Sequence, residues 1–152
     1  MKATKAIVTG HSRGLGAAIA GELLERGIPV LGLARRGNAE LAAQHGDRLA
    51  EVAIDLADSA ALAAWLAGGA LGDWIADAQQ VLLVNNAGVA VYGLLTDLDP
   101  AVWQRLLDVN VTGMYNCCRC AIPPMVHEKA GHIINLASIL GTNGASCEVA
   151  YS

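Results

Sequence analysis

Residues 5–16 read KAIVTGHSRGLG, an apolar run that gives way after Thr9 to a turn with glycines at 10, 14 and 16. The text that follows, GLGAAIAGELLERG at 14–27, places Leu15, Ile19 and Leu23 at four-residue steps. That spacing predicts a helix, and Gly27 stands where such a helix would end. A strand, a glycine turn and a helix in this order bring backbone N–H groups and the positive end of the helix dipole to one point, which suits a diphosphate. The spacing is GxxxGxG rather than the GxGxxG of other dinucleotide folds. A purely structural turn would have the same composition; the strand before it and the helix after it favour the nucleotide.

Outward from this unit, short apolar runs alternate with helical patterns. IPVLGLA at 28–34, LAEVAID at 49–55, VLLVNNAG at 81–88 and HIINLAS at 132–138 read, like the first run, as strands apolar on both faces. Such strands belong to a parallel sheet covered by helices on both sides. DSAALAAWLAGG at 58–69 predicts a helix capped by Asp58. The longest helix begins in LDPAVWQRLLDVNVTG at 98–113, with Asp99 as cap and Pro100 in the first helical position. Val102, Leu106, Val109, Gly113 and Cys117 continue one face, and Pro123 and Pro124 are expected to kink or end the helix. The expected fold is α/β: a Rossmann-type, doubly wound parallel sheet with strand order 3-2-1-4-5 and right-handed crossovers. One domain spans 1–152.

Composition agrees with a packed domain. The 152 residues are 54% hydrophobic and 16% charged, many of the apolar ones are alanine, and there is no phenylalanine. A net charge of −4 without a basic cluster argues against a nucleic-acid partner. No apolar run approaches the roughly 18 residues of a membrane-spanning helix, and MKATKAIVTG at 1–10 lacks the apolar core of a signal peptide. The expected setting is the cytoplasm, with reduced thiols. Of Cys117, Cys118, Cys120 and Cys147, the 117/120 pair has CxxC spacing, but it falls mid-helix without a second pair. These cysteines read as small buried hydrophobes, with no metal.

The end of the second strand selects the form of the cofactor. Many NAD sites carry an acid there for the ribose hydroxyls. This strand ends VLGLARR, so Arg35 and Arg36 stand in that place, and Arg13 lies inside the glycine turn. Guanidinium groups converging from two segments suit a 2′-phosphate, which points to NADP(H). Asp55, closing the third strand, either accepts from an adenine amino group or caps a turn.

The sequence resembles the short-chain dehydrogenase/reductase family. The resemblance rests on TGHSRGLG at 9–16, NNAG at 85–88, Asn110 in DVNVTG, Ser138 in INLASILG, and Tyr151. It covers the whole chain and looks nearest to 3-oxoacyl-carrier-protein reductases and small-ketone reductases. It implies an NADP(H)-dependent oxidoreductase that reduces a ketone or 3-oxoacyl thioester to a secondary alcohol. The residue matching Tyr151 is then the general acid, that matching Ser138 hydrogen-bonds the substrate carbonyl, and Asn110 holds a water of a proton relay. Cofactor contacts are implied at Gly10, Ser12, Arg13, Gly14, Leu15, Gly16, Arg35, Asp55, Leu56, Asn86, Ala87 and Gly88. VAVYGLLTDL at 89–98 is expected near the mouth of the substrate pocket. A small ketone or alcohol is the implied substrate, and a homodimer or homotetramer the implied assembly.

The family's tyrosine is followed four residues later by a lysine, whose charge favours the phenolate. Here that position would be 155, beyond the 152 residues of the chain. The expectation is a chain truncated within that motif, the N-terminal portion of a single-domain reductase, with the family's last two strands absent. The alternative is a catalytically inactive dinucleotide-binding fragment. Either way, the helix beginning at Asp99 is expected to expose an apolar face.

Overall fold

In the computed structural model, which describes residues 3–152, five parallel strands form one sheet in the order β3-β2-β1-β4-β5. The strands are β1 (Thr4–Thr9), β2 (Val30–Ala34), β3 (Leu49–Ala53), β4 (Gln80–Asn85) and β5 (Gly131–Asn135). All five, and their order, agree with the apolar runs read from sequence. Helices α1 (Gly14–Glu25), α2 (Ala39–His45), α3 (Ser59–Ala67), α4 (Ala70–Ile75), α5 (Pro100–Leu107), α6 (Met114–Glu128) and the short α7 (Leu140–Asn143) make the connections. Two apolar clusters lie on opposite faces. One joins Ile7, Leu31, Leu33 and Leu83 to α3, α4 and α6; the other joins Ala6, Val8, Val30 and Val84 to α1 and α2.

The caps follow the sequence. Asp58 and Asp99 accept from the backbone N–H groups of Ala61 and Ala101, and Pro100 opens α5. At the end of α1, Gly27 adopts φ +76°. Its N–H reaches the Leu24 carbonyl at 3.0 Å while Ile28 N–H reaches that of Leu23 at 3.0 Å, the paired bonds of a Schellman turn.

Several details add to the sequence reading or correct it. The buried stripe of α1 is Gly16, Ala20 and Leu24, one position along from Leu15, Ile19 and Leu23. Small residues face the sheet because the helix starts almost in contact with β1, and Leu15 is 61% exposed. The helix between β3 and β4 is two helices, separated at Gly69 with φ +83°. The long helix is interrupted by a π-helical turn over Asp108–Gly113, and Val102 is exposed while Leu106, Val109, Gly113 and Cys117 are buried. Pro123 and Pro124 do not end α6, which runs to Glu128 and stops at Lys129 in the left-handed region. Packing of Cys117, Ala121 and Met125 against the core on both sides of the prolines outweighs the roughly 3 kcal/mol that a helical proline costs.

The reading of both faces as covered holds for β1, β2 and most of β4. At the edge, His132, Ile133, Ile134 and Asn135 of β5 are exposed. The long helix exposes Trp103, Tyr115, Ile122 and Val126, the apolar face expected of it. All four cysteines are free thiols. Cys117 is buried, and burial, with Cys118 and Cys120 beside it, pushes its thiol up to about 12. No helix among the described residues is long and apolar enough to cross a membrane.

Candidate functional site

The carboxyl ends of β1 to β4 open onto a cleft of about 770 Å³, at the point between β1 and β4 where the strand order reverses. Gly10, Ser12, Arg13, Gly14, Leu15 and Gly16 supply one wall; Arg35, Arg36, Asp55 and Leu56 supply the next; Asn86, Ala87 and Gly88 close the third. Every residue to which the resemblance gave a cofactor contact therefore lines one cleft. Leu33, Ala34, Ile54, Val89, Arg105 and Val109 complete it.

The glycine turn is packed tightly at Gly10 and Gly16. Gly10 and Gly14 have φ of +72° and +57°, conformations that favour glycine. No side chain caps α1 and no acid occupies its first turn, so its dipole and early N–H groups remain available to an anion. The turn is held from behind by β4. Thr9 Oγ1 accepts from the N–H groups of Asn86 (3.0 Å) and Ala87 (2.9 Å), and Asn86 Nδ2 donates to the Thr9 carbonyl at 2.9 Å. Asn86 thus spends its amide on the turn itself. A Thr9→Val variant leaves two backbone donors without their acceptor at a site where Thr9 is only 2% exposed. The expected cost is about 2–4 kcal/mol, read as a lower midpoint in urea unfolding; an unchanged midpoint would mean that water replaces the hydroxyl.

Charge in the cleft is unevenly shared. The side chains of Arg13, Arg35 and Arg36 are exposed along its rim. Asp55 is the counterweight. Its Oδ1 accepts from Ala57 N–H at 3.0 Å, the turn-capping alternative read from sequence, and its Oδ2 accepts from Arg105 at 3.1 Å. Desolvation pushes the Asp55 carboxyl up, but the Ala57 N–H, the Arg105 guanidinium and the charge of Arg35 outweigh it and hold the group below the usual value. Arg105 carried no sequence signal, because its partner is fifty positions away on another element.

The three candidate catalytic residues are placed differently. Asn110 sits in the π-turn and pairs twice with the backbone of Val89: its Oδ1 accepts from the N–H and its Nδ2 donates to the carbonyl, both at 2.8 Å. A π-turn sets one residue out of helical register, which aims this amide at the loop after β4. Ser138 follows β5, and its Oγ accepts from Leu140 N–H at 3.2 Å. Tyr151 is half-buried, with its backbone N–H on the Glu148 carbonyl. Gly93 N–H donates to the Cys147 carbonyl at 2.7 Å, which brings the 89–98 segment against the residues before Tyr151. Among the described residues, no hydrogen bond joins Ser138, Tyr151 and Asn110 to one another, and neither Ser138 nor Tyr151 lines the cleft.

A parallel sheet of order 3-2-1-4-5 with this glycine turn at its reversal point defines a Rossmann-type α/β protein. Residues 4–152 match the short chain dehydrogenase family, and the chain belongs to it. It is 38% identical, over 93% of its length and 56% of the relative's, to a probable NADP-dependent dehydrogenase of Haemophilus influenzae. It is 33% identical, over 97% of its length and 59% of the relative's, to the 3-oxoacyl-[acyl-carrier-protein] reductase FabG of Vibrio harveyi. Among solved structures, a short-chain dehydrogenase/reductase from Burkholderia vietnamiensis superposes with a TM-score of 0.92 at 40% identity, over 99% of this chain and 70% of that one. A metagenomic short-chain oxidoreductase in complex with NADP gives 0.86 at 36% identity, over 99% and 68%. The chain spans less than two thirds of the length of these curated relatives.

Proposed function

We propose that the cleft holds NADP(H) and that the protein is an oxidoreductase reducing a ketone or a 3-oxoacyl thioester to a secondary alcohol. The observation that carries the reading is the pairing, in one cleft, of an uncapped helix N-terminus behind a glycine turn with Arg13, Arg35 and Arg36 along its rim. The residues fit the cofactor: the turn leaves no room for a side chain at Gly16, and the cleft presents donors and cations where phosphates are needed. NADP(H) bound there supplies the hydride.

The protein's own part is positional and acid–base. The glycine turn takes the diphosphate, and Arg35 with Arg13 takes the 2′-phosphate. Asp55, held by Ala57 and Arg105, faces the adenine end. Ser138 holds the substrate carbonyl and Tyr151 delivers the proton, while Asn110, fixed to Val89, steadies the loop after β4 and a water of the relay. The relatives' names point to an acyl thioester and to unspecified substrates alike.

The test is a fluorescence titration of NADPH and NADH. Arg35→Asp removes a fork-shaped cation and places a carboxylate beside the extra phosphate. NADPH affinity is expected to fall by about 10- to 100-fold and NADH affinity by far less. Equal losses for both cofactors, or none, would make Arg35 a bystander and withdraw the NADP(H) assignment.

A further inference from the structure

His11 lies inside the glycine turn yet is wholly buried. Its ring crosses β2 at Gly32, where an added Cβ would lie 2.4 Å from three ring atoms. Gly32 is paired in register with Glu51 of β3. The ring therefore passes over the one place on β2 without a side chain and meets Glu51 beyond it, with Nε2 at 2.7 Å from Oε1. Nδ1 has no partner. Because the carboxylate can only accept, Nε2 carries a hydrogen that points at it.

The same Oε1 accepts from Asn38 N–H at 2.6 Å. The neighbouring Gly37 backs onto the carboxylate so closely that a Cβ would sit 2.9 Å from Oε2. Asn38 in turn donates through Nδ2 to the Ser12 carbonyl at 3.3 Å and caps α2 through Oδ1. One carboxylate thus ties two loops that come from different crossovers. The first is the glycine turn at His11–Ser12; the second is Gly37–Asn38, immediately after Arg35 and Arg36. Glu51 itself does not line the cleft.

We propose that Glu51 is a positioning residue for cofactor choice: by bridging His11 and Asn38 it fixes the Arg35–Arg36 segment against the glycine turn, at the spacing a 2′-phosphate requires. This deepens the NADP(H) reading and rests on it. Arg35 and Arg36 have no ion-pair partner among the described residues that would hold them in place. Their position depends on the backbone that follows, and the backbone depends on Glu51. The diphosphate, by contrast, rests on a turn that the Thr9–Asn86 contacts hold independently of Glu51, whose only bond to that turn is through His11.

The two cofactors differ only by the 2′-phosphate, so NADPH and NADH are titrated in parallel into the wild-type protein, Glu51→Ala and Glu51→Gln. For Glu51→Ala the preference for NADPH over NADH is expected to drop about tenfold, the size of one charge-assisted contact. NADH affinity should fall by less, within about threefold, because the Thr9–Asn86 contacts still hold the glycine turn when its bond through His11 is lost. Glu51→Gln, which keeps one acceptor, should recover part of the preference. A parallel loss of both cofactors would reduce Glu51 to a fold residue and overturn the proposal, as would an unchanged preference. A preference that rises would show the carboxylate acting as a repulsive charge, and would overturn it too. A wild-type protein without preference fails the NADP(H) reading itself; selective wild type with selective Glu51→Ala fails only this inference.

Discussion

A Gly16→Ala variant is expected to lose NADPH binding altogether and to unfold at a clearly lower temperature than the wild-type protein. An alanine Cβ at 16 would lie 2.2 Å from the Gly10 carbonyl oxygen, 2.8 Å from its carbon and 2.4 Å from Asn86 Nδ2. None of these is the yielding end of a flexible side chain. Gly10 is fixed at φ +72°, and its N–H is bonded to the Leu33 carbonyl at 2.8 Å. The Asn86 amide is held by the Thr9 carbonyl at 2.9 Å. Relief therefore requires α1 to back away from β1, which carries Gly14 and the first helical N–H groups off the cleft. Overpacking usually costs about 1–3 kcal/mol, and a clash with backbone belongs at the upper end of that range. Gly14→Ala is the internal control: nothing lies within 4 Å of its Cβ, so only the left-handed φ of +57° is penalised, by about 1–2 kcal/mol. Thermal unfolding with and without NADPH checks both. Wild-type affinity in Gly16→Ala would mean that the diphosphate does not rest on this turn.

The glycine turn was legible because its signal is local: three glycines between an apolar run and a helical pattern need no knowledge of the rest of the chain. The sheet order was legible for a related reason, since doubly covered strands joined by helices leave few arrangements. What escaped depends on distance or on register. The inward stripe of α1 was not legible, because hydrophobicity picks out leucine and isoleucine, whereas a helix this close to the sheet turns glycine and alanine inward. The π-turn at Asp108–Gly113 leaves no mark in composition. The prolines of α6 carry a strong local signal, and tertiary packing overrides it. The His11–Glu51 contact joins segments that meet only once β3 is in register with β2, and Arg105–Asp55 needs α5 packed beside the end of β3 as well. Asn86 lines the cleft to which the sequence assigned it, but nothing in the sequence marked its amide as the group that holds the turn.

Tyr151→Phe is expected to lower turnover by about 10²- to 10⁴-fold, the span usual for removing a general acid, while leaving cofactor binding and stability in place. The three readouts separate for structural reasons. Tyr151 does not line the nucleotide cleft, so NADPH affinity should stay within about twofold of wild type. Its hydroxyl makes no hydrogen bond among the described residues, so phenylalanine leaves no partner stranded and the melting temperature should hold. On the proposed mechanism, only proton delivery to the substrate oxygen needs the lost O–H. NADPH oxidation with an acetoacetyl thioester and with a small diketone measures the effect on both candidate substrate classes. Ser138→Ala offers a second axis: its Oγ accepts from Leu140 N–H at 3.2 Å, so this variant should cost some local order as well as turnover. Undiminished turnover in Tyr151→Phe would remove Tyr151 from the reaction and leave the proton to another donor. A joint fall in turnover, NADPH affinity and melting temperature would assign it a role in packing instead.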